Sequence, residues 1–395
     1  MNIGNVIASG IVFVMSGAMA LHAVTVSDVT ARQRYPWNGL VDVRFNITGD
    51  SNMKYDIAVM AKDMEGGTNV TMKTIRKSDG SLVAGNEQFA PGTYNWIWDA
   101  ATDLPKDWKC NRVTVTVTAV AHTYLYMVID LSSGANSGLY PVSYLDAVPS
   151  GGWDDTYKTT KLVLRRIEPG TFKMCGQYNV TLTKPFYIGV FECTQKQYSL
   201  VMGMNPSDYK GDNRPVEQVS WDMIRGSATT YNWPQKTTVG SDSFAGRLSA
   251  RSGLAFDLPT EAQWEYACRA GTASLYNNGG DTEADLKKVG RYSGNTSDGK
   301  GGYTQHAIVG SYNPNAWGLY DMHGNNWEWC LDWYGSLSSN VTDPTGPTSG
   351  SWRVFRGGSW YYYGADACQN TYRYNRVPSS FSNYYYGFRI CLTIQ

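Results

Sequence analysis

Between residues 24 and 121 the hydrophobic positions recur with a period of two. Val41, Val43, Phe45 and Ile47 form one such run, Tyr55, Ile57 and Val59 a second, and Val113, Val115 and Val117 a third. Successive side chains of a strand point to opposite faces, so the pattern predicts strands with one buried face. Gly-Asp, Gly-Gly and Pro-Gly steps punctuate the runs and no helical stripe appears. An antiparallel sandwich of about seven short strands fits this spacing. One apolar strand follows at 124–131, then a Ser/Gly/Pro-rich connection. From residue 160 onward short strands alternate with a few helices and long loops rich in Gly, Asn and Tyr. Two helix starts are legible as capping boxes, Thr194 with Gln197 and Thr260 with Gln263. In each, the threonine oxygen accepts from the third helical N–H while the glutamine reaches back. Tyr198, Val201 and Met202 then line one helix, with Gly203 as its stop, and Trp264, Ala267 and Cys268 line the other.

The amino-terminal stretch 7–20 is apolar or small and too short for a comfortable membrane span. Ala18 and Ala20 form a small-x-small cleavage site. A signal peptide over residues 1–23 is therefore expected, with a secreted, cell-surface or periplasmic product and membrane attachment only if the segment stays uncleaved. The organisation expected is a signal peptide (1–23), an all-β sandwich domain (24–121), a linking strand and connection (122–159) and a second domain (160–395). Charge changes the picture by exclusion. Lys and Arg total 34 against 34 Asp and Glu. Such a balance offers no field to gather a phosphate backbone, so a nucleic-acid partner is not expected. None of the seven cysteines (110, 175, 193, 268, 330, 368, 391) lie two to four residues apart, which removes zinc-ribbon and thioredoxin-type spacings. In an oxidising compartment they read as disulfides plus one odd thiol. The histidines beyond the leader (His122, His306, His323) offer no HExxH motif and no i,i+4 pair, so zinc hydrolysis lacks ligands.

Five ordered segments then carry a resemblance. They are Phe186-Tyr187-Ile188-Gly189-Val190-Phe191-Glu192-Cys193-Thr194, Arg214-Pro215-Val216-Glu217-Gln218-Val219-Ser220-Trp221, Leu258-Pro259-Thr260-Glu261-Ala262-Gln263-Trp264-Glu265-Tyr266, Asn315-Ala316-Trp317-Gly318-Leu319-Tyr320-Asp321-Met322-His323-Gly324-Asn325, and Arg356-Gly357-Gly358-Ser359-Trp360 closing on Gly387-Phe388-Arg389. Over residues 160–395 the chain resembles the formylglycine-generating enzyme, or sulfatase-modifying factor, family. The fold this implies is α+β and C-type-lectin-like, with few helices and long loops. The stretch 91–99 loosely resembles the late strand of immunoglobulin-like or fibronectin-like modules.

Family members that oxidise a substrate cysteine to formylglycine hold copper on two cysteines just after the Gly-Gly-Ser step, and soft thiolates suit Cu(I). Here Tyr362 stands at the first of those positions and Cys368 near the second. A phenol does not replace a thiolate on copper, so copper is not expected and no catalytic residue is assigned. Were the protein an oxidase, Cys368 and Ser359 would be its catalytic residues, with a second cysteine such as Cys330. The resemblance also implies a disulfide from Cys268 to Cys368 and a bridge between Cys193 and Cys391 on the first and last strands. It further implies a structural calcium, held by the side chains of Asp321 and Glu328 and the carbonyls of Gly324 and Asn326.

Residues 352–395 hold eight of the 28 tyrosines, including the triplets Tyr361–Tyr363 and Tyr384–Tyr386. Tyrosine presents a large amphipathic face with few rotors to freeze. This tail also resembles the variable segment of lectin-fold proteins diversified by retroelements. The expected function is binding of a peptide, protein or glycan in a tyrosine-rich groove. Its expected ligand contacts are Trp327, Ser359, Tyr361, Tyr362, Tyr363, Arg373, Tyr384 and Tyr385. A formylglycine-generating oxidase and a surface assembly subunit are the alternatives.

Overall fold

The computed structural model describes residues 3–10, 24–35, 39–49, 54–63, 67, 69–84, 87–104, 110–296, 305–361, 364–379 and 383–394. The chain divides into two compact units, Met1–Thr123 and Tyr124–Ile394.

In the first unit two sheets face each other. One is ordered Thr25–Gln33, Leu40–Thr48, Gly92–Asp99, Ile75–Arg76, and the other Ile3–Gly10, Cys110–Ala121, Tyr55–Asp63, Asn69–Thr71. The alternating residues turn inward as their period requires: Val41, Val43, Phe45 and Ile47 are buried from one sheet, Tyr55, Val59, Val113, Val115 and Val117 from the other. Phe89 closes on Trp96 at 5.0 Å, joining the two layers. The segment expected as a leader splits. Ile3–Gly10 pairs in parallel with Cys110–Ala121, and residues 11–23 lie outside the described residues.

The second unit is the C-type-lectin-like α+β fold. Its main sheet is antiparallel and runs Val142–Leu145, Tyr126–Asp130, Lys161–Ile167, Phe186–Gly189, Cys391–Thr393, so a strand near the carboxyl terminus closes against an early one. A second sheet is ordered Tyr374–Arg376, Arg353–Arg356, Trp327–Trp333, Tyr386–Gly387. Every residue of Trp327–Trp333 is buried, which hides its strand character from any alternation test. Both expected capping boxes form: Gln195–Met202 ends on Gly203 at φ 82°, and Glu261–Arg269 starts from Thr260. The core carries guanidinium groups as well as rings. Arg225, Arg353, Arg356 and Arg389 are all fully buried. Arg356 pairs with Glu261 (3.1 Å) and Glu265 (2.6 Å), Arg389 with Glu328 (2.6 Å) and Arg225 with Asp257 (2.9 Å). Pairing of this kind is what makes buried charge tolerable. Among the described residues no helix is long and apolar enough to cross a membrane.

The expected disulfides are absent: Cys175, Cys193, Cys268, Cys330, Cys368 and Cys391 are free thiols. His323 stands between Cys268 and Cys368, with Nε2 3.7 Å from the Cys268 sulfur and Nδ1 2.7 Å from the Cys368 carbonyl. Cys391 opens the strand Cys391–Thr393, whereas Cys193 lies beyond the end of the strand Phe186–Gly189. Cys391 pairs with Ile188, whereas the Cys193 N–H donates to Phe388, three residues earlier than Cys391.

Candidate functional site

The Gly-Gly-Ser step is built by backbone geometry. Gly357 and Gly358 both have positive φ, 95° and 80°. A Cβ on Gly358 would lie 2.5 Å from the Cys368 sulfur and 2.8 Å from the Ala367 carbonyl, so only glycine fits. The same closeness seals Cys368, which is fully buried. Burial pushes its thiol up to about 12, against a smaller opposing pull from the Ser359 backbone N–H. Cys368 packs in a cluster with Tyr276, Leu286, Val289 and Tyr292, while Cys330 belongs to a separate cluster with Cys268 and Cys391. The two cysteines of the oxidase alternative are therefore not brought together. Burial raises the thiols of Cys175 (to about 11), Cys193, Cys268, Cys330 and Cys391 as well. Burial thus disfavours the thiolate, the form that attacks carbon, at each of these six cysteines.

Directly after this step the chain enters an aromatic cluster. Trp360 is almost fully buried and anchored by its N–H to Asn325 (2.8 Å) and its indole N–H to the Tyr384 carbonyl (3.2 Å). Around it stand half-buried tyrosines. Tyr209 meets Trp360 edge to face at 5.4 Å and Tyr384 at 5.5 Å. Tyr361 meets Tyr384 at 5.1 Å and stacks on Tyr385 at 5.8 Å. Edge-to-face and offset contacts of this spacing hold rings in place while leaving part of each exposed. Beneath Tyr209 lies His306, fully buried, whose Nε2 is 3.8 Å from Glu217 and whose two ring nitrogens have no hydrogen-bond partner. Burial lowers the His306 imidazole, outweighing the raising effect of Glu217. Glu217 in turn accepts the Tyr209 backbone N–H at 2.9 Å.

Of the expected ligand contacts, the structure brings Tyr361, Tyr384 and Tyr385 into this one face. Tyr362 and Tyr363 lie outside the described residues. Three others belong elsewhere. Trp327 is fully buried and stacks on Tyr374 at 5.2 Å, so it is core. Ser359 is also fully buried and donates its hydroxyl to the Tyr361 carbonyl at 3.0 Å, which shapes the turn and offers nothing to a ligand. Arg373 is spent on Glu261 through two hydrogen bonds of 2.6 and 2.7 Å, away from the aromatic face. Sequence reasoning missed Tyr209, His306 and Glu217. Only the isolated aromatic in the polar stretch 208–212 hinted at the first, and nothing linked it to residue 360.

The segment expected to hold calcium folds around charge of both signs. Glu328 accepts two hydrogen bonds from Arg389 (2.6 and 2.7 Å) and one from the Trp264 indole (2.6 Å), so its oxygens are not open ligands as expected. Asp321 accepts the Gly310 N–H through Oδ2 at 2.7 Å, and its buried Oδ1 has no partner. Asn326 likewise keeps a buried Oδ1 without a partner, while its N–H donates to Glu192 at 2.9 Å. Gly324 uses its N–H on the Gly357 carbonyl at 2.7 Å. Burial, Asp321 and Glu328 together drive Glu192 well above the usual carboxylate range, and burial holds Asp321 up to about 6. Three carboxylates here face one guanidinium. Among the described residues no group of three or more His, Cys, Asp or Glu converges as a metal site.

A family profile described as "Sulfatase-modifying factor enzyme 1-like domain" matches residues 155–394. The chain belongs to this family. Among its relatives, "Chaperone protein LppX" of Paenibacillus barcinonensis is 33% identical over 251 residues, 55% of this chain and 84% of that protein. The "Formylglycine-generating enzyme" of Streptomyces coelicolor is 37% identical over 180 residues, 42% of this chain and 48% of that enzyme. The chain thus spans about half the length of that sulfatase-modifying-factor relative. Among solved structures, "Treponema denticola variable protein 1" aligns with a TM-score of 0.47 and 29% identity over 59% of this chain and 95% of that one.

Proposed function

We propose that this member of the sulfatase-modifying factor family is an exported, non-catalytic protein that binds a peptide, protein segment or glycan on the face formed by Tyr209, Tyr361, Tyr384 and Tyr385 around Trp360. The observation that carries this reading is the aromatic cluster itself, set on the loops that follow the Gly-Gly-Ser step. Half-exposed rings on rigid anchors supply contact area at low entropic cost. A relative named as a chaperone protein, covered over most of its length, supports a polypeptide partner. Peptide and glycan arrays probed with the wild type and with Tyr361→Ala and Tyr384→Ala test it. Capture lost in both variants supports the face, and unchanged capture removes it.

The oxidase reading is favoured by the 37% identity to a formylglycine-generating enzyme. It requires two thiolates on copper. Against it stand Tyr362 at the position of the first and Cys368, near the second, fully buried with its thiol pushed up to about 12 by burial.

Calcium belongs to this proposal as a structural ion. Asp321 and Asn326 would hold it through their open buried oxygens, offsetting the surplus of Glu192, Asp321 and Glu328 over Arg389. It would do no chemistry. A higher Tm in calcium than in chelator supports it, and equal values contradict it.

A further inference from the structure

A cavity of about 470 Å³ opens beside the start of the Glu261–Arg269 helix, lined by Met174, Val180, Leu337, Val341 and Pro347 with Asp332 among them. Its other charged neighbours are already engaged. Glu261 takes two hydrogen bonds from Arg373 and one from Arg356, and Asp343 takes the N–H and hydroxyl of Thr183. Arg353, the other nearby cation, stacks on Trp333 at 3.4 Å and donates to the Leu331 and Trp233 carbonyls. Asp332 differs. It is 4% exposed, and its one hydrogen bond is the Glu261 N–H on Oδ2 at 2.7 Å. Oδ1 has no partner in the protein. Gly346, φ +72°, crosses in front of it, and a Cβ there would come within 3.1 Å of that oxygen and 2.8 Å of the Asp332 Cβ. The absent side chain leaves the carboxylate uncovered.

The chamber is apolar along Met174, Leu337 and Val341 and carries the hydroxyls of Ser336, Ser338, Thr342 and Thr345, and with one carboxylate oxygen free on its wall it suits a ligand that bears a hydrogen-bond-donating cation on an alkyl stem. We infer that this cavity binds a primary alkylammonium group, with the ammonium on Asp332 and the stem along Met174, Leu337 and Val341. Burial holds the Asp332 carboxyl up to about 7, so an arriving cation restores a charge-assisted bond that the fold does not itself provide. Two sources share this chemistry, a free small amine and a lysine side chain of a polypeptide.

The test titrates the full-length protein with n-hexylamine, with n-hexanol and with the peptide acetyl-Gly-Lys-Gly-amide, read by calorimetry and by chemical shifts. Saturable binding of hexylamine is expected, at least tenfold tighter than hexanol and weakened at least tenfold by Asp332→Asn, which keeps an acceptor for the Glu261 N–H. Leu337→Trp, which fills the chamber without touching the carboxylate, is expected to abolish binding and serves if Asp332→Asn does not fold. Saturation by the peptide with the same dependence on Asp332 assigns the lysine source, and saturation by hexylamine alone assigns a small amine. No saturation by either probe, equal affinity for hexanol, or binding indifferent to the variants overturns the inference. Tyr361→Ala leaves this binding unchanged, so its outcome is separable from that of the aromatic face.

Discussion

His323 donates its Nδ1 proton to the carbonyl of Cys368 across 2.7 Å. Its Nε2 accepts the Asn277 N–H at 3.0 Å, which fixes the neutral tautomer. The ring also stands 3.7 Å from the Cys268 sulfur, and Cys268 and Cys368 are both free thiols. A non-reducing digest is therefore expected to yield no peptide joining residues 268 and 368. Thiol reagents should reach both sulfurs only after unfolding.

The same imidazole makes stability depend on pH. Burial depresses His323 from an ordinary value of 6.5 to about 4, so the unfolded chain takes up a proton first as the solution is acidified. Its contribution is present above pH 6.5 and lost as the pH falls toward 4, a difference of roughly 3 kcal/mol by linkage. Raised carboxylates such as Asp257, held up to about 6, act in the opposite direction. The clean readout is thus the difference between wild type and His323→Gln in urea unfolding. That gap should shrink by roughly 3 kcal/mol between pH 7 and pH 4.

Arg356 binds Glu261 and Glu265 in the interior. Arg356→Met leaves both carboxylates less compensated, with Arg373 and Arg269 as their remaining partners. A loss of about 3–5 kcal/mol in unfolding free energy is expected. A loss below about 1 kcal/mol would show that the neighbouring arginines suffice.

The aromatic face makes a different demand, since its rings are partly exposed. Tyr361→Ala and Tyr384→Ala should each weaken ligand capture about thirtyfold, the scale of an interface hot spot. Circular dichroism should show the same fold, with Tm lowered by only a few degrees. Trp360→Ala, which removes a buried anchor, should instead cost both binding and stability.

How much of this was legible beforehand follows from the range of each interaction. Period-two runs and capping boxes are local, and Val41–Ile47 and Thr260–Gln263 folded as their patterns required. Trp327–Trp333 is buried on both sides, so no alternation announced it. At the site, the tyrosine triplets are plain in the sequence, and Tyr361, Tyr384 and Tyr385 do meet. Trp327 and Arg373 misled because an aromatic or a charge in a loop-rich segment reads as a contact until its partner is known. Their partners, Tyr374 and Glu261, are set by strand order and by a helix more than a hundred residues away. The joining of Tyr209 and His306 to Trp360 is likewise tertiary, with no trace in spacing.

The stretch that follows the Gly-Gly-Ser step carries one cysteine, Cys368, where copper chemistry needs a pair. Mass spectrometry of a cysteine-bearing sulfatase-type peptide, incubated with copper-treated protein under oxygen, tests this most directly. The peptide is expected to return at unchanged mass with its thiol intact. Conversion of that cysteine to an aldehyde, with loss of its sulfur, would contradict the account.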